Sequence, residues 1–117
     1  MQFPFEKLEV WQIAMDLVNE AYILARAYPD AEKFGLSSQL PRAATSIPMN
    51  IAEGSARGSK EFSHFLRIAQ GSLLGVVTNL KIAQRQEMVT KEQCGPINQH
   101  VETLYFKLIS LRKSLTK

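Results

Sequence analysis

Residues 59–86 read SKEFSHFLRIAQGSLLGVVTNLKIAQRQ, and this stretch decides the fold class. Its apolar positions are Phe62, Phe65, Leu66, Ala69, Leu73, Val76, Val77, Leu80 and Ala83. They recur in steps of three and four, the spacing of one helix face, with no strand alternation. Ser59 stands where an N-cap is expected. Gly71 and Gly75 interrupt the pattern chemically, each costing roughly 1 kcal/mol of helix propensity against alanine. A helix that keeps both either has stability to spare or needs another backbone to come close there.

Three further stripes surround this one. Upstream, Leu8, Val10, Trp11, Ala14, Leu17, Val18, Ala21, Tyr22, Ala25 and Tyr28 mark a helix that Pro29 ends. Ser37 reads as the N-cap of the next, whose inner face is Leu40, Ala43, Ala44, Ile47, Ile51 and Ala52. Pro41 falls near its first turn, but Pro48 lies mid-pattern, so a kink is expected over Thr45 to Pro48. Downstream, Thr90 and Gln93 resemble a capping box, Gly95-Pro96 disturbs the first turns, and Ile97, Val101, Leu104, Tyr105, Leu108, Ile109 and Leu115 follow. The expectation is an all-α chain, an antiparallel up-and-down four-helix bundle forming a single domain over 1–117. It has a lead-in at 1–7 and helices at about 8–28, 38–54, 59–86 and 91–114.

Composition limits the function classes. Apolar residues make up 45% of the 117, enough for a real core. Cys94 is the lone cysteine, so no intrachain disulfide forms, which suits a reducing compartment. The opening MQFPFEKLEVWQ lacks the pattern of a secretory signal, and no run approaches a membrane span. A cytoplasmic protein with no membrane role is expected. Most aromatic residues fall on core stripes, but Phe106 lies off its line. Helix 1 is also apolar over more of its circumference than one core requires, so Met15, Ile23 and Leu24 are expected, with Phe106, to face a partner.

Chemistry is scarce. His64 and His100 sit on separate helices, and Glu61-Phe62-Ser63-His64 is a single Glu-x-x-His where di-iron bundles need two. Cys94 has no histidine within helical contact, and no glycine-rich phosphate loop occurs. No catalytic residue, metal, cofactor or small-molecule substrate is therefore expected. Basic residues stand out instead. Residues 1–35 carry three basic and six acidic groups, a net of −3, while 36–117 carry eleven and five, a net of +6. Arg57, Lys60, Arg67, Lys81 and Arg85 lead into and along the third helix, and Lys107, Arg112, Lys113 and Lys117 decorate the fourth. Such groups can hold phosphates without reading bases. An ordinary solvated helix surface explains them equally well on composition alone.

The segment FGLSSQLPRAATSIPMNIAEGSAR at 34–57 carries a resemblance, supported by LEVWQ at 8–12 and by Glu61-Phe62 and FLRIAQGS at 65–72. Together they resemble the four-helix bundle proteins related to reading frames in intervening sequences of bacterial 23S ribosomal RNA genes. The resemblance implies a small up-and-down bundle and a homo-oligomer, with ring-like pentamers among its relatives. One relative, an accessory protein of diversity-generating retroelements, binds nucleic acid and a reverse transcriptase, so an RNA or ribonucleoprotein partner is also implied. The family motif falls here on Ser46, Ile47, Pro48, Asn50, Ile51, Ala52, Glu53 and Gly54. Its physical content reads as structural: Pro48 frees a backbone carbonyl, Asn50 or Glu53 can satisfy polar groups nearby, and Glu53 can pair with Arg57. Pro41 replaces a commonly basic residue, and Gly75 and Val77 replace two expected acids. The middle of the third helix is correspondingly more apolar. The reading that results is a non-enzymatic homo-oligomeric module for RNA or a ribonucleoprotein, with a protein-interaction scaffold as the alternative.

Overall fold

The computed structural model describes residues 1–32 and 34–116. Four helices carry the fold: α1 (Glu9–Ala27), α2 (Leu36–Ser55), α3 (Ser59–Arg85) and α4 (Gly95–Ser114). Short 3-10 turns at Pro4–Lys7 and Asp30–Glu32 precede α1 and α2. Each helix packs against its neighbours in chain order, and α4 returns to α1, while the diagonal pairs make no direct approach. Short connections and this closed order make an up-and-down bundle. Among the described residues there is no strand, and no helix is long and apolar enough to cross a membrane.

The core is built from the expected stripes. Leu17, Leu40, Ile47, Ile51, Leu66, Leu73, Leu80, Ile97, Leu104 and Leu108 are fully buried. Leu24, expected on the outside, is buried as well, because steps of three and four from Leu17 and Ala21 carry it inward. Met15, Ile23 and Phe106 are exposed.

Helix ends depart from the sequence reading in consistent ways. Pro29 holds Tyr28 in an extended conformation, so α1 stops at Ala27 and Tyr28 turns inward. Its hydroxyl donates to Asn79 Oδ1 at 2.8 Å, and Asn79 Nδ2 donates to the Leu36 carbonyl at 3.0 Å. One buried polar chain thus ties the α1 end, the α2 start and the C-terminal third of α3. The N-caps of α2 and α3 are Gly35 and Gly58, each one or two residues earlier than the serines expected there. Ser37 instead donates to the Glu32 carbonyl at 2.6 Å, fastening the preceding turn. The Thr90–Gln93 box forms, with Thr90 N–H on Gln93 Oε1 at 2.8 Å and Gln93 N–H on Thr90 Oγ1 at 3.1 Å. It closes a turn rather than a helix, and α4 begins only at Gly95, with proline in its first turn.

α2 remains helical through Pro41 and Pro48, so the bend expected at Thr45–Pro48 does not interrupt it. Pro48 is buried, and polar bonds brace the stretch beside it. Asn50 Nδ2 donates to the Ser46 carbonyl at 2.8 Å and to Ser46 Oγ at 3.0 Å, and Ser72 Oγ donates to Ser46 Oγ at 2.9 Å. Further along, α2 and α3 come as close as a hydrogen atom allows. A Cβ on Gly54 would stand 2.6 Å from Phe65 Cβ and 3.0 Å from Phe62 Cδ1. Gly71 and Gly75 have no such role, since a Cβ at 71 meets nothing and one at 75 makes an ordinary 3.7 Å contact with Ala43. α3 ends with Glu87 at φ 58°, where Glu87 N–H bonds the Gln84 carbonyl and Met88 N–H the Ala83 carbonyl. That is a Schellman ending with glutamate in the place glycine usually takes.

Candidate nucleic-acid interface

α3 is amphipathic, so the residues that do not face the core form a continuous outer wall. Lys60, Arg67 and Lys81 are separated by seven and fourteen residues, near-whole numbers of turns, and Arg85 follows one turn later. All four are exposed and none is in an ion pair among the described residues. They form a row along one side of α3, spanning about 37 Å at 1.5 Å per residue. Exposed apolar residues Ile68, Leu74 and Ile82 interleave or flank them.

The antiparallel run of α4 brings its last turn beside the first turns of α3. Arg112 Nη1 donates to Gln70 Oε1 at 2.6 Å, which fastens the two ends. Between them lies a cleft of about 730 Å³ whose lining includes Lys60, Arg67 and Arg112 together with Phe65 and Leu115. A smaller cleft of about 250 Å³ shares Ser63, Arg112 and Thr116 with it and adds Lys113. Arg112 Nε is buried and finds no acceptor among the described residues. A buried donor in that condition typically costs about 1–3 kcal/mol, more when charged.

Two of the expected cations are otherwise engaged. Arg57 bonds Glu61 Oε2 at 3.0 Å and Glu53 Oε1 at 3.4 Å, and its guanidinium carbon sits 5.0 Å from the centre of the Phe65 ring. It therefore bridges the α2–α3 connection. It also occupies Glu61, the carboxylate that lines the cleft. Lys107 lies on another side of the bundle and bonds Glu9 Oε1 of α1 at 2.8 Å. Lys81 and Arg85 share the α3 row but stand at the far end from the cleft. Lys117 lies outside the described residues. Of the family-motif residues, Ser46, Pro48, Asn50 and Gly54 are used in helix packing, and Glu53 pairs with Arg57.

Two titratable groups, Tyr28 and Cys94, are buried. Burial pushes the Tyr28 hydroxyl up to about 12, and the neighbouring Cys94 acts in the same direction. Burial also raises the Cys94 thiol, against a hydrogen bond with Gln84 that lowers it. His100 Nδ1 lies 2.6 Å from Glu20 Oε1, joining α4 to α1. Among the described residues no three His, Cys, Asp or Glu side chains cluster in a way that could hold a metal ion.

Sequence reasoning did not find Ser63, Leu115 or Thr116 as cleft residues, nor Gln70 as the partner of Arg112. Each is unremarkable in its own helix and enters the site only through the α3–α4 register.

The class is therefore that of small all-α, up-and-down four-helix bundles with a cationic outer wall. The chain belongs to the 23S rRNA-intervening sequence protein family, whose model matches residues 6–110. It is similar to a solved structure from Bacteroides thetaiotaomicron VPI-5482, a protein with unknown function from the S23 ribosomal protein family. The two share 27% identity and a TM-score of 0.81, over 89% of this chain and 98% of that one. No curated protein matches the chain significantly.

Proposed function

We propose that the protein is a non-enzymatic RNA- or ribonucleoprotein-binding module that acts as a homo-oligomer in the cytoplasm. The observation that carries this reading is the row of unpaired cations on α3, joined at one end by Arg112 and Lys113. Such a row tracks a phosphate backbone and supplies affinity without base specificity. The family name and the relative's ribosomal family name are consistent with an RNA setting.

Binding of a structured RNA should fall steeply with salt, and Lys81→Glu and Arg85→Glu should each weaken it and flatten the salt slope by about one unit. Fluorescence anisotropy from about 50 mM to 200 mM salt reads both quantities. An RNA that is not retained at the lower salt, or reversals without effect, would end this reading.

Exposed Ile68, Leu74 and Ile82 between the cations favour a second reading, a scaffold that docks another protein. A pull-down after nuclease treatment separates the two. Partners that survive digestion support the scaffold, and partners that vanish support RNA.

A further inference from the structure

The cleft between the start of α3 and the end of α4 differs from the rest of the cationic wall. The wall is convex and open. The cleft is concave, at about 730 Å³, and its exposed lining is mostly apolar despite three cationic side chains. That volume lies within the range of sites that enclose a small organic ligand, roughly 300–1,000 Å³. A phosphate backbone lying across a surface needs no apolar recess. A phosphate attached to a planar ring does.

From this arrangement we infer that the cleft binds a single nucleotide. Its phosphate lies against Lys60, Arg67 and Arg112, and its base against Phe65 and Leu115. Arg112 is the anchor. Its Nη1 is held by Gln70, which orients the guanidinium where it lines the recess. Guanidinium groups present parallel donors matched to phosphate oxygens. The acid at the cleft, Glu61, is already bonded to Arg57, so it opposes an incoming anion less than a free carboxylate would. Ser59, Ser63 and Thr116 add hydroxyls around the same recess, and His64 lies at its edge. Phe65 has Arg57 over its ring, which fixes it in place as apolar lining. The inference rests on the reading of the α3–α4 side as a phosphate-binding surface. It adds a specific seat for one nucleotide, either free or at an exposed position of an RNA strand.

The test uses the isotope-labelled full chain, titrated separately with adenosine monophosphate, adenosine and inorganic phosphate, and followed by amide resonances. The nucleotide should move resonances within 59–67 and 112–116, and should bind at least about tenfold more tightly than either fragment. Arg112→Gln should weaken nucleotide binding by about tenfold or more. Because Arg112 is partly buried, the double variant Lys60→Gln/Arg67→Gln, both exposed positions, provides the same readout without disturbing the fold. The source is distinguished by competition. A 5′-phosphorylated oligoribonucleotide that displaces the nucleotide better than its 5′-hydroxyl counterpart assigns the seat to a strand end. Equal and weak displacement assigns it to free nucleotide. The inference is overturned if the nucleotide leaves those resonances unmoved, or binds no better than phosphate. RNA binding that persists in that case leaves the cationic wall standing. Nucleotide binding with no RNA affinity would instead sink the RNA reading and keep the seat.

Discussion

Tyr28 sits where α1 meets Pro29, and its buried hydroxyl donates to Asn79. With burial pushing its pKa up to about 12 from an ordinary 10, the folded protein holds the phenolic proton more tightly than the unfolded chain does. The corresponding stability is fully present below about pH 10 and is lost as pH rises through the folded value. The loss should be on the order of 2 kcal/mol between pH 9 and 12. Tyr28→Phe should lower stability near neutrality by about 1 kcal/mol, since Asn79 Oδ1 loses its donor, and should remove much of the alkaline decline. Urea titrations of both proteins at neutral and alkaline pH measure this. An equal alkaline decline in the variant would assign the effect to another group. Cys94, buried and raised in pKa, should react with thiol reagents only as fast as the bundle opens.

The α2–α3 pair is governed by one absent methyl group. Gly54→Ala places a carbon 2.6 Å from Phe65 Cβ, an atom too close to the backbone to move cheaply. Overpacking of this kind costs roughly 1–3 kcal/mol, only partly offset by alanine's better helix propensity of about 1 kcal/mol. Gly71→Ala meets nothing within the chain and should gain most of that propensity, raising the melting temperature by about 3–6 °C. Thermal denaturation of the two variants should therefore shift in opposite directions. A Gly71→Ala protein with a smaller assembly mass would show that a second copy packs there. This pair also marks how far the helices were legible in the sequence. Steps of three and four placed the core, and the capping-box pattern found the Thr90–Gln93 bonds but put the start of α4 there rather than at Gly95. They did not separate Gly54, which packs tightly, from Gly71, which does not, because that depends on what lies across the interface. The cap positions failed for a related reason. Ser37 and Ser59 have the right side chains, but glycine one or two residues earlier accepted the backbone change first.

In the whole molecule, the ring order α1–α2–α3–α4 puts α1 and α3 on opposite sides. The sequence showed that the first 35 residues are acidic and the remainder basic, yet it could not show which cations are free. The Arg57–Glu53 pair was legible from its spacing, but Lys107 looked equivalent to Arg67 on paper and is taken up by Glu9 of another helix. The cleft was invisible for the same reason, since residue 112 meets residue 70 only through the antiparallel register. The diagonal placement has a kinetic consequence. α1 carries Glu9, Asp16 and Glu20 against Arg26, and α3 carries Lys60, Arg67, Lys81 and Arg85 against Glu61. The bundle is therefore an electric dipole pointing across its waist, and near a polyanion it experiences a torque before any contact forms. It should arrive with α3 leading, so that more encounters are productive than shape alone allows. Reversing Asp16 to lysine, far from the α3 wall, raises the net charge but shortens the dipole. If alignment matters, its association rate at low salt should gain less than the added charge implies, with dissociation unchanged. A stopped-flow series that tracks net charge alone would show that the molecule approaches in every orientation.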